Sequence, residues 1–135
     1  MSSLQELERQ WTLTTAVARY EHLRARDSLA DPDDAACQPL SRVEALELLA
    51  LSEVIARKAS YGRQLAVRTA RGTGASWAQI GKALGATRQA AWEAHTRWID
   101  AQAQQHDATG YEGFDQGEAE RARDLAGVVG EEAAR

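Results

Sequence analysis

A chain of 135 residues and 14.7 kDa has room for one core and a tail, and too little for two domains of ordinary size. With 44% hydrophobic and 27% charged residues it has the composition of a folding protein, and no apolar run approaches the roughly 20 residues of a membrane span. Met1-Ser2-Ser3-Leu4 opens with neither a basic nor an apolar leader, and the one cysteine, Cys37, can form neither an internal disulfide nor a zinc cluster, so a reducing, cytoplasmic setting without membrane contact is expected.

Alanine occurs 27 times against 17 for Val, Ile and Thr together, and only Pro32 and Pro39 interrupt the chain, which predicts an all-α fold. Ser2 and Ser3 stand three residues before Gln5 and Glu6, the spacing of a capping box. Leu4, Leu7, Trp11 and Ala18 then recur at helical spacing, predicting one long helix to about Asp27. Asp27 to Leu40 holds both prolines and four aspartates and reads as a loop. A second box, Ser41-Arg42-Val43-Glu44, opens a helix with an apolar stripe of Val43, Leu46, Ala50, Val54, Tyr61 and Leu65, widened by Leu48, Leu49, Leu51 and Ile55; the pattern allows an unbroken run to Ala70 or a break near Ser60 to Gly62. The stripe is too broad for a lone surface helix, so residues 1–60 are expected to form a long-helix scaffold that packs on itself or on a second copy, favouring a homodimer.

Gly72-Thr73-Gly74 ends that helix, and a third box, Ser76-Trp77-Ala78-Gln79, starts a short one that stops at Gly85. Thr87 is an N-cap for a further helix to about Gln105. Residues 61–106 are expected to form one small unit with Trp77, Trp98, Ile99 and Tyr61 in its core. Residues 107–135 have eight acids against three arginines and glycines at 110, 113 and 117, and are expected to be an acidic mobile tail with one short helix near 118–125. This tail, net −5 from Ala101 onward, has the charge to fold over and mask a basic segment.

Such a segment exists. Between Arg57 and Arg97 lie eight basic residues and one acid, Glu93, a surplus of +7; since the chain as a whole carries −4, the remainder carries −11. A local patch of this kind acts on a polyanion because charges beyond roughly 8 Å are screened at physiological salt. Within it, Ile80 and Leu84 supply apolar pins, Gly81 a close helix crossing, Gly85 the positive φ of a tight turn, and Ala91 and Ala94 a small inward face. That pattern predicts a helix-turn-helix. The run Trp77-Ala78, Ile80-Gly81, Ala83-Leu84-Gly85, Arg88-Gln89-Ala90-Ala91 resembles the helix-turn-helix of small regulators of GC-rich bacteria, of sigma-factor region 4 and of phage repressors. The resemblance covers about a quarter of the chain and implies double-stranded DNA as the partner and a role in transcription, with no strands for a winged variant after Trp98.

If the helix after Thr87 enters the major groove, Arg88, Gln89, Trp92, Glu93 and Thr96 are the base-reading candidates. Arg88 has the planar fork for guanine O6 and N7, and Gln89 that for adenine N6 and N7. Glu93 can accept from cytosine N4, although its spacing to Arg97 favours an i,i+4 pair. Trp92 is open between groove contact, dimer anchor and core. Phosphate anchoring would fall to Arg68, Arg71, Ser76, Lys82, Thr87 and Arg97. His22, His95 and His106 lack a ligand partner at i,i+4, no phosphate-cradling glycine loop is present, and nothing activates Cys37, so no cofactor, metal or enzymatic activity is expected. A contrasting reading is an adaptor or nucleoid-architectural protein that offers the basic face, the acidic tail or the long helices to a protein partner.

Overall fold

The computed structural model describes residues 2–129 and is all-helical among them, with α1 (Leu4–Gln10), α2 (Leu13–Ser28), α3 (Arg42–Gly72), α4 (Trp77–Leu84), α5 (Arg88–Thr109) and α6 (Gln116–Ala126). None of these helices is long and apolar enough to cross a membrane. The chain divides into two compact units, residues 1–62 and 63–135, with α3 supplying residues to both.

In the first unit the expected single long helix is two. Thr12 accepts from the Thr15 amide at 3.1 Å while the Thr15 hydroxyl accepts from the Thr12 amide at 3.0 Å, so the chain leaves helical geometry at Trp11 and starts again at Leu13. Threonine caps well and is a poor interior residue, which decides the break against the apolar periodicity. Ala16, Leu23, Leu51 and Val54 are buried together, with Leu7, Trp11, Tyr20, Leu48 and Ile55 packed around them. Arg19 pairs with Glu47, and Arg26 pairs with Glu44, tying α2 to the start of α3. Glu44 also receives the Ser41 amide at 3.1 Å as part of the predicted capping box, and its carboxyl is held down to about 2 by the Arg26 guanidinium first and the Ser41 amide second.

Helix α3 then runs for 31 residues without a break at Ser60 to Gly62, about 46 Å at 1.5 Å per residue. Tyr61, expected in a core, is 45% exposed.

The second unit gathers Val67, Trp77, Ile80, Ala91, Ile99, Phe114, Ala119, Ala122 and Ala126 into one buried cluster. Here the expected irregular tail is corrected. Asp115 and Glu118 form a reciprocal cap that starts α6, and three of the α6 alanines, spaced 119, 122 and 126, are buried. Of the three glycines read as signs of mobility, Gly110 and Gly113 are turn residues with φ of +81° and +76°, which side-chain-bearing residues rarely adopt, and Gly117 lies within α6. The part of the predicted tail from residue 130 onward lies outside the described residues.

Candidate nucleic-acid interface

The α4–α5 corner is built from caps and two glycines. Ser76 accepts from the Gln79 amide at 3.1 Å and its own amide donates to Gln79 Oε1 at 2.9 Å, which starts α4 with Trp77 facing inward. Gly85 ends it with φ +67°, and the Ala86 amide returns to the Gly81 carbonyl at 2.8 Å. Gly81 is where the two helices meet most closely. A Cβ there would lie 2.8 Å from Ala86 O, 2.9 Å from Arg88 N and 2.9 Å from Thr87 C, all of them backbone atoms that cannot swing aside. Thr87 accepts from the Ala90 amide at 3.0 Å and starts α5. Of the two expected pins, Ile80 is buried, while Leu84 is 40% exposed.

Inward positions on α5 recur as Ala91, His95, Ile99 and Gln102, all buried. The opposite side therefore carries Gln89, Glu93 and Arg97, which are exposed, as are Lys82, Thr87 and Arg88 at the corner itself. Among the described residues Lys82, Arg88 and Arg97 take part in none of the ion pairs, so three cations stand in solvent, Lys82 and Arg88 at the corner and Arg97 more than two turns further along α5. The Gln89 amide donates to Glu93 Oε1 at 2.9 Å, so Glu93 pairs one turn back with Gln89 rather than forward with Arg97. Thr96 is half-buried and its hydroxyl donates to the Glu93 carbonyl at 3.0 Å.

Two of the predicted contact residues are placed elsewhere. Trp92 is half-buried against the core cluster and its indole N–H donates to the Gly127 carbonyl at 2.8 Å, so it is not an outward, base-facing side chain. It stands about 100° around the helix from Ala91, close enough to the core for an aromatic ring to lie down on it. Arg71 is engaged as well: Nε donates to the Leu125 carbonyl at 3.2 Å, Nη1 to the Ala75 carbonyl at 2.9 Å, and the guanidinium lies 5.2 Å from the Trp77 ring centre. Its role is internal rather than phosphate-facing. Arg68 is exposed, with its guanidinium 5.8 Å from the Phe114 ring centre.

Beneath the corner lies a buried histidine, His95. His95 is 1% exposed; its ring centre stands 5.7 Å from that of Trp77 and 5.4 Å from that of Trp98, and Nδ1–H donates to Gln64 Oε1 at 2.9 Å. Burial, reinforced by the nearby Arg68 and Arg71 charges, lowers its pKa to about 4, so the ring is neutral at physiological pH. The sequence did hold a signal for it, since position 95 falls midway between Ala91 and Ile99 on the inward stripe. Among the described residues no three His, Cys, Asp or Glu side chains are grouped to hold a metal ion.

Comparison of the chain with protein-family models, with curated proteins and with solved structures finds no match.

Proposed function

We propose that this protein binds double-stranded DNA through the α4–α5 corner, as a transcriptional regulator acting in the cell interior. The observation that carries the reading is the exposed turn at Gly85 to Gln89, set by the Gly81 crossing and flanked by the unpaired cations Lys82 and Arg88, with Arg97 exposed further along the same helix. In a major groove Arg88 and Gln89 are the base readers, with Glu93 and Thr96 one and two turns on. Breaking the exposed Gln89–Glu93 bond to expose the amide costs little, because water replaces it. Lys82, Arg97 and Arg68 supply phosphate contacts, and the N-terminal turns at Ser76 and Thr87 supply amides.

The first unit supports a homodimer in this reading. A cleft of about 530 Å3 between α1 and α3 is lined by Leu7, Trp11, Val43, Leu46, Ala50 and Leu51, of which Val43 and Leu46 are 74% and 41% exposed. A second copy could cover these side chains, and a dimer's two reading helices would meet half-sites roughly 34 Å apart or a multiple of that. A monomer in sedimentation at micromolar concentration would remove the dimer from the reading.

The test of the DNA reading is the salt dependence of binding to short duplexes. The expected result is log K falling against log salt, with the slope lowered by about 0.9 in Lys82→Gln and again in Arg97→Gln. Binding that is absent at about 50 mM salt would turn the basic face toward an acidic protein partner instead.

A further inference from the structure

The last carbonyls of a helix have no partner within it and must find donors elsewhere. At the end of α6 three consecutive ones do so, each from a different element. Leu125 O receives Arg71 Nε of α3 at 3.2 Å, Ala126 O receives the Trp77 indole of α4 at 2.8 Å, and Gly127 O receives the Trp92 indole of α5 at 2.8 Å. The other end of the segment is held as firmly. The Phe114 amide donates to the Gln102 carbonyl at 3.0 Å, Phe114 meets the Trp98 ring edge-on at 5.2 Å, and Gly113 lies so close that a Cβ would stand 2.1 Å from Gln102 O. Between these anchors Ala119, Ala122 and Ala126 face the core, while Glu118, Glu120 and Asp124 are exposed to solvent.

We infer that α6 is a strap belonging to the reading unit: it fixes α5 against α4, and DNA binding at the α4–α5 corner requires it docked, with Trp92 as the positioning residue. The inference rests on the DNA reading above. Trp77 and Trp92 donate to adjacent carbonyls, so α6 bridges α4 and α5 by a route that bypasses the Gly85 turn. Trp92 lies one helical turn beyond Arg88 and Gln89; a roll of α5 that breaks its bond to Gly127 also swings both readers away from their setting. This assigns α6 the opposite of a masking role: Glu118, Glu120 and Asp124 face water, and its backbone holds the site together.

The experiment compares the full chain with Trp92→Phe, which keeps an aromatic side chain and removes the indole N–H together with its five-membered ring, and with Ala122→Glu, which places a charge at a buried position. Amide exchange is followed by mass spectrometry alongside binding to a random pool of short duplexes whose bound fraction is sequenced. In Trp92→Phe, exchange over 116–126 should speed up about fivefold, the worth of one neutral hydrogen bond, while affinity should fall by less than that factor, because the strap stays mostly docked, and base preference should be unchanged. In Ala122→Glu, protection over 116–126 and duplex binding should both be lost while residues 42–62 exchange as before. Unchanged exchange over α6 in Trp92→Phe would overturn the strap, and an altered base preference would make Trp92 a direct reader instead. If the unaltered chain binds no duplex, the DNA reading fails and the coupling fails with it, while exchange in Trp92→Phe still reports whether the indole holds α6.

Discussion

Acid titration of the second unit should be governed by His95. Its pKa falls from the ordinary 6.5 to about 4 in the folded chain, because the ring is buried between Trp77 and Trp98 and faces the charges of Arg68 and Arg71. The unfolded chain takes up a proton that the folded chain refuses, so the contribution to stability is full above pH 6.5 and is lost as pH falls toward 4. At 1.36 kcal/mol per pKa unit the whole effect is about 3 kcal/mol, of which about 2 kcal/mol should be gone by pH 5. Urea unfolding between pH 8 and 5, followed by tryptophan emission from the Trp77 and Trp98 environment, reads this directly. His95→Gln keeps a donor for Gln64 Oε1 and cannot titrate, so it should be less stable than the parent at pH 8 and nearly flat down to pH 5. A parent curve flat over that range, or a His95→Gln curve as steep as the parent, would refute the reasoning.

A second acid transition belongs to the first unit. Glu44 is held near 2 by Arg26 and Ser41, so its contribution is present above the ordinary value of 4.5 and is lost as pH falls toward 2; Glu44→Gln should flatten amide exchange over α2 and the start of α3 across that lower window, and no change from the parent there would contradict it. Gly81→Ala drives a methyl to within 2.9 Å of three backbone atoms and should cost about 1–3 kcal/mol in urea unfolding, whereas Gly62→Ala, with nothing within 4 Å, should be neutral or stabilising; equal effects would mean the corner is not closely packed.

The helices of this fold were readable wherever their ends were chemically marked. Ser41, Ser76 and Thr87 start α3, α4 and α5, and Gly85 ends α4, as their residue types require. The break between α1 and α2 escaped because its box uses Thr15 instead of Glu or Gln, and because the apolar spacing of Leu7, Trp11 and Ala18 runs through it. The short helix expected near 118–125 is α6, but its docking was not legible: its buried face is alanine, which carries little hydrophobic signal, and the glycines before it at 110 and 113 serve as fixed turns. At the corner itself the outward placement of Lys82, Arg88, Gln89 and Arg97 was readable from the 3.6-residue period. The engagement of Trp92 with the Gly127 carbonyl and of Arg71 with the Leu125 carbonyl was not, because these partners lie more than thirty residues away in sequence.

The central claim is that the exposed turn after Gly85 reads DNA sequence, and sequencing the duplexes retained from a random pool by the parent chain and by Gln89→Ala tests it most directly. A motif enriched by the parent, with preference relaxed at one adenine position in Gln89→Ala and about 1–3 kcal/mol of discrimination lost there, is the predicted result. Retained duplexes without a common motif, or the same motif in both proteins, would contradict it.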